Sequence, residues 1–156
     1  MAKFYEALHP TVREQYVDVF LEIQTQNQFN WRIREVISQQ MDVLSVIFSD
    51  DTTFRIILPI CFSLCRDDIS IVRKTASKNI YQLFMKMYNS GNPLYKMTVV
   101  ENIKAFAVLP KYSYRQVFLS MIEPLIQHME IFEENFIDEF IEIGNDKTPN
   151  VRISLA

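Results

Sequence analysis

Four arginines, Arg34, Arg73, Arg115 and Arg152, recur about every 40 residues, and each opens the same apolar pattern. The residue before each is Ile33, Val72, Tyr114 or Val151, and one helical turn after come Ile37, Ala76, Phe118 and Leu155. Beyond the first three arginines follow Met41, Ile80 and Ile122, then Leu44, Leu83 and Leu125, then Phe48, Met87 and Met129. Steps of three and four residues put these side chains on one face of an α-helix. One such stripe arises readily by chance, but three in register do not. The chain is therefore read as an array of helical units whose length is that of a stacked helix pair.

Composition agrees with an all-α fold. Of 156 residues, 49% are hydrophobic and only 2 are glycine, enough apolar material for one continuous core and too little glycine for a turn-rich β fold. A formal net charge of −3 argues against general nucleic-acid binding, which draws its affinity from neutralised phosphates. The first residues lack the apolar core of a signal peptide, and the longest greasy run, residues 56–65, is too short to span a bilayer. Neither nucleic acid nor membrane is expected as a partner. Cys61 and Cys65 have no further cysteine and no nearby histidine, so they read as buried thiols rather than a zinc site. Such thiols imply a reducing compartment, hence a cytoplasmic or nuclear location.

Four repeats are expected, over residues 10–48, 50–90, 92–130 and 132–156, with residues 1–9 a leader or the end of a preceding helix. Pro10 opens a helix to about Gln26 with Val12, Tyr16, Val19, Phe20 and Ile23 inward. After a polar turn over residues 26–30, Trp31 to Phe48 forms its partner. Capping candidates Ser49 to Thr52 start a helix to Cys65 that Pro59 should kink, with Phe54, Ile57, Leu58, Cys61, Leu64 and Cys65 inward. The acidic turn Asp67, Asp68 leads into a helix from Ser70 to Tyr88, stopped by Asn89, Ser90 and Gly91. Asn92 and Pro93 begin the next, which buries Val99, Val100, Ile103 and Phe106 and ends at Pro110. Ser113 with Gln116 reads as a capping box for a helix that bends at Pro124 and reaches Met129. Residues 132–143 form one more helix with Phe132, Phe136, Phe140 and Ile143 inward and Gly144 as its stop. Thr148 and Pro149 open a last helix, whose Val151 and Leu155 lack the remainder of their stripe. The expectation is a fragment of a longer array.

No catalytic constellation is present. His9 and His128 are far apart in sequence, and His128, near Glu123 and Glu130, reads as an exposed helical histidine. Gly91 and Gly144 are isolated, so there is no phosphate-cradling loop. The chain is expected to be non-enzymatic, with no cofactor and no metal. The acidic run Glu130, Glu133, Glu134, Asp138, Glu139 and Glu142 reads as a solvated helix face. The turns are more informative. Arg32, Arg34, Arg66, Arg73, Lys74, Lys111, Arg115, Lys147 and Arg152 lie in or just after them, more than half of the 16 lysines and arginines. Stacking would gather them into a basic ridge. Arg73 and Arg152 are expected to pair with turn acids, in a ladder anchored at Asp67, Asp68 and Asp146. Arg32 and Lys111 have no turn acid in sight, which points to a partner. On the helix wheel Trp31 projects about 150° from the mean of Ile33, Val36, Ile37, Leu44 and Phe48. It is then either an outward binding hot spot or an indole folded back onto a neighbouring repeat.

The turn followed by Val-Arg and the period near 40 resemble the HEAT family of α-solenoids over nearly the whole chain. Within it, residues 30–34 (Asn-Trp-Arg-Ile-Arg) resemble a repeat opening in the scaffold subunit of type 2A protein phosphatases. Residues 111–118 and 145–152 are similar to C-terminal repeats in regulatory subunits of the type 4 enzyme. The resemblance implies a right-handed solenoid of stacked antiparallel helix pairs. It also implies a non-catalytic scaffold or regulatory subunit that binds a type 4 or 2A catalytic subunit, and substrate proteins, along the turn ridge and concave face. Trp31 and Arg32 would lie where the catalytic subunit docks, with Lys111, Tyr112 and Lys147 as further contacts; Asp67, Asp68, Arg73, Arg115, Asp146 and Arg152 would form the structural ladder. The chain departs from the family in having Asn27 and Asn30 in the first turn and no acid in the third. Two other readings stand beside this one. A HEAT module serving transport or chromosome architecture would keep the fold and lose the phosphatase. An enzyme on a helical-repeat scaffold, such as a DNA-repair glycosylase, would need a catalytic carboxylate or an aromatic pocket on a basic concave face, which the acidic balance disfavours.

Overall fold

The structure, a computed structural model, describes residues 2–26 and 29–155, and among them there are helices and no strands. The N-terminal part comprises α1 (Ala2–Glu6), α2 (Pro10–Gln15), α3 (Val17–Gln26), α4 (Trp31–Ser38) and α5 (Met41–Ile47). Next come α6 (Asp50–Thr52), a π-helical turn (Thr53–Ile57), α7 (Leu58–Leu64) and the long α8 (Ser70–Tyr88). The C-terminal part holds α9 (Pro93–Ala107), α10 (Tyr112–Ile122), a 3₁₀ turn (Glu123–Gln127), α11 (Met129–Asn135), α12 (Ile137–Gly144) and α13 (Pro149–Ile153).

The helices pack in chain order. The helix α8 lies against α4, α5, α7, α9 and α10, while α13 packs on α10 and α12. The core runs unbroken through these contacts, and the stripe residues Ile37, Met41, Leu44, Ala76, Ile80, Leu83, Phe118 and Leu125 are all fully buried. The Cys61 and Cys65 thiols are buried and unbridged within it.

The middle of the chain follows the sequence pattern closely. Asn92 caps α9 by accepting the Leu94 N–H, and Pro93 occupies the first turn. Val99, Val100, Ile103 and Phe106 are buried. The Pro59 disturbance takes the form of a π turn. Proline cannot donate to the Arg55 carbonyl, and the Leu58 N–H reaches back five residues to the Thr53 carbonyl instead.

Elsewhere helices expected to be continuous are broken. Residues 10–26 divide at Tyr16, whose carbonyl accepts the Tyr5 hydroxyl. The break turns Val17 and Phe20 inward and leaves Val12, Tyr16 and Val19 exposed. Residues 1–9 supply α1, and its Tyr5 ring packs on Phe48 with centroids 5.2 Å apart. Residues 31–48 divide at Gln39 and Gln40, and Val36, expected inward, is 51% exposed. Met129 is likewise exposed, because the 3₁₀ turn at Pro124 and the break at His128 end the stripe at Leu125. The expected helix 132–143 begins at Met129 and breaks at Phe136, where φ is −131°.

Ser113 does not cap α10. Helix α10 starts at Tyr112, and Gln116 bonds instead to the Asn150 carbonyl and the Ser154 hydroxyl. His128 is half-buried, hydrogen-bonded to the Tyr81 hydroxyl at 2.8 Å and stacked on its ring. Gly91 has φ 75° and serves as a left-handed stop after α8, whereas Gly144 has no positive φ. Asn27, part of the first turn, and Ala156 lie outside the described residues.

Side chains from neighbouring helices satisfy carbonyls exposed at a break or at a helix end. Asn79 of α8 donates to the Ser38 carbonyl at 2.6 Å, and Lys86 of α8 donates to those of Ser45 and Phe48 at 2.6 and 2.5 Å. Arg13 donates to the carbonyls of Tyr5, Leu8 and Ile47. A helix end left unsatisfied in a packed interior is costly, so these donors make the interruptions tolerable.

Candidate functional site

Each helix-opening arginine past the first forms the same bracket around its own turn. Nη1 of Arg73 donates to the Asp67 and Asp68 carbonyls at 2.7 and 2.9 Å, and Nη1 of Arg115 to those of Leu109 and Pro110 at 2.9 and 2.8 Å. Nη1 of Arg152 donates to the Asp146 carbonyl. Arg73 and Arg152 thus hold backbone oxygens, not the turn carboxylates expected for them.

The carboxylates are held by the arginine of the preceding unit. Arg34 grips Asp67 with Nε to Oδ2 at 2.5 Å and Nη2 to Oδ1 at 3.0 Å. Arg115 repeats this on Asp146 with the same two distances. In both cases Oδ1 also accepts a backbone N–H at the start of the next helix, from Ile69 at 2.8 Å and from Thr148 at 2.7 Å. A fork-on-carboxylate pair of this kind fixes geometry as well as charge. The Arg115 guanidinium, joined by the Thr148 N–H, holds the Asp146 carboxyl down at about 2, and Arg115 is itself raised by the same bond. Burial pushes Asp67 up, but the bonds from Arg34 and the Ile69 N–H outweigh it and leave Asp67 lowered.

Asp68 is no rung of this ladder. Its side chain is exposed and meets Lys111 at 3.5 Å, so Lys111 does find an acid, in the preceding turn. The Lys111 ammonium also lies 5.1 Å from the Tyr114 ring centre. Arg32 is exposed and stacks its guanidinium over the indole of Trp31 at 4.7 Å. Trp31 itself is half-buried, between the two alternatives the wheel offered. Tyr112 and Lys147 are exposed.

Beside these turns, between α8 and α10, runs a groove of about 760 Å³ with Arg73, Lys74, Lys78, Tyr112 and Ser113 on its walls. The sequence pattern pointed to Lys74 only as part of the ridge and to Lys78 not at all. Their one-turn spacing along α8 was the available signal. Among the described residues no cluster of histidine, cysteine, aspartate and glutamate could hold a metal ion, and no helix is long and apolar enough to cross a membrane.

No protein-family profile matches the chain. Over 98% of its length it is 28% identical to "Serine/threonine-protein phosphatase 4 regulatory subunit 1" of Mus musculus. The proteins of that name from Homo sapiens and Rattus norvegicus match with the same identity and coverage. The chain spans 17% of the length of these relatives. Nearly end to end, then, this chain resembles one portion of phosphatase 4 regulatory subunit 1.

Proposed function

We propose that the chain is a non-catalytic portion of a protein phosphatase regulatory subunit, built as HEAT repeats in a right-handed solenoid of antiparallel helix pairs. It binds the phosphatase catalytic subunit, of type 4 before type 2A, through the turn ridge. The observation that carries this reading is the 28% identity over 98% of the chain to phosphatase 4 regulatory subunits. It is supported by turn arginines that are held on backbone carbonyls, as at Arg73, or on a turn carboxylate, as at Arg34, while Arg32 is left exposed at the surface. Trp31, with Arg32 stacked on it, is the contact proposed for the catalytic subunit, and Lys111, Tyr112 and Lys147 extend that surface. Aromatic and arginine anchors of this kind dominate binding energy at interfaces.

Capture of purified type 4 and type 2A catalytic subunits by the immobilised chain tests the reading. Binding to type 4 that is lost in Trp31→Ala and Arg32→Glu, with the helical circular dichroism retained, is the expected result. Failure of the unaltered chain to bind either catalytic subunit overturns it. Melting of the fold by Trp31→Ala, with Arg32→Glu binding normally, moves Trp31 to a structural role.

A further inference from the structure

The ladder lacks one rung, and Arg73, the arginine left without it, lines the groove. Leu109 occupies in its turn the position of Asp67 and Asp146, since its carbonyl accepts from Nη1 of the arginine that opens the following helix, as theirs do. Arg73 is pinned through Nη1 to two carbonyls, as Arg115 is, yet no carboxylate among the described residues meets its Nε or Nη2. The Lys111 N–H, counterpart of the Ile69 and Thr148 N–H groups that complete the two rungs, has no side-chain acceptor among the described residues. A leucine thus leaves unmet a guanidinium edge and a helix N-terminus, both of which bind carboxylates elsewhere in this chain.

A separate observation falls in the groove that Arg73 lines. Ser113, in the first turn of α10, is 8% exposed, and its hydroxyl has no hydrogen-bond partner among the described residues. Arg73, Lys74, Lys78, Tyr112 and Ser113 line one groove, with Glu123 the one acid on its wall. A buried hydroxyl without a partner is uncommon in a folded chain and calls for one.

We propose that an acidic segment of a partner protein docks in this groove, setting one carboxylate between the Arg73 guanidinium and the Lys111 N–H. The partner supplies the rung that Leu109 omits. Lys74 and Lys78, exposed on successive turns of α8, receive the flanking acids of that segment. The site is distinct from Trp31 and Arg32 and does not depend on the phosphatase reading.

A fluorescein-labelled peptide of alternating aspartate and serine, followed by anisotropy at low salt against the whole chain, is the probe. Its controls are a lysine-for-aspartate peptide and a peptide bearing one phosphoserine and no acidic residue. The aspartate peptide should bind and the lysine peptide should not. Leu109→Asp, which builds the rung internally, should weaken binding roughly tenfold, an effect of about 1.4 kcal/mol. Arg73→Lys, which keeps a charge on the turn carbonyls but loses the two-pronged edge, should do the same and decides the matter if Leu109→Asp does not fold. Lys104→Ala, away from the groove, should bind as the unaltered chain does. The proposal is overturned by absence of aspartate-peptide binding, by undiminished binding in Arg73→Lys, or by binding of the phosphoserine peptide alone.

Discussion

Asp146 shows how a single side chain can tie two parts of the array together. Its carboxylate takes two bonds from Arg115 and one from the Thr148 N–H, and both charged side chains are under a tenth exposed. Its pKa of about 2 lies below the ordinary aspartate value of about 3.9. A group depressed on folding contributes stability that is complete above its unfolded pKa and disappears as pH falls through its folded pKa. The denaturation midpoint should therefore hold steady from about pH 7 to 5 and fall between about 4 and 2. Asp146→Asn should lower the midpoint at neutral pH and flatten that acid limb. Urea titrations at a series of pH values check this, and an unchanged acid slope in the variant would remove Asp146 from the account.

At the scale of elements, α8 is both the centre of the core and the donor that lets α4 and α5 be short. Leu83 is fully buried in the column with Leu44 and Leu125. Leu83→Ala should cost about 2–5 kcal/mol, the range for a leucine truncated in a packed core. Lys86 reaches the Ser45 and Phe48 carbonyls and is partnered by Asp50 at 3.5 Å; burial lowers its pKa. Lys86→Met keeps the length of the stem but leaves those carbonyls unmet, and should cost about 1–3 kcal/mol. Both values are read from denaturant midpoints at constant slope. A neutral Lys86→Met would mean that water satisfies the end of α5.

For the whole molecule, neighbour-to-neighbour packing predicts graded rather than uniform protection. The helix α8 is enclosed by α4, α5, α7, α9 and α10, whereas α2 packs chiefly on α3, and α13 on α10 and α12. In arrays of this kind stability is a sum of local terms and interfaces, so opening starts where interfaces are fewest. Amide hydrogen exchange should be slowest in α8 and α10 and fastest in α2 and α13. Leu83→Ala should accelerate exchange in α8 and its neighbours with little effect at α13. Equal acceleration everywhere would show one cooperative unit instead.

The apolar stripes by themselves determined that the chain is helical, where α8 and α9 lie, and which residues fill the core from Ile37 to Leu125. Spacing was enough there because a helical period and burial against neighbours are properties of short segments, repeated. The sequence also brought out the turn arginines, but it paired them wrongly. Arg73 and Arg115 hold the same position in the apolar pattern, one residue after Val72 or Tyr114 and three before Ala76 or Phe118. Only stacking decides that an arginine bonds the carboxylate of the following unit while bracketing the carbonyls of its own. The breaks at Tyr16, Gln39 and Phe136 were illegible for a related reason. No proline or glycine marks them, and at the first two a donor distant in sequence, the Tyr5 hydroxyl or the Asn79 amide, reaches the Tyr16 or Ser38 carbonyl exposed there. Local pattern could fix which faces are apolar, but which polar group meets which across roughly 30 to 40 residues is decided by tertiary packing, where an unpaired buried group costs more than a bent helix.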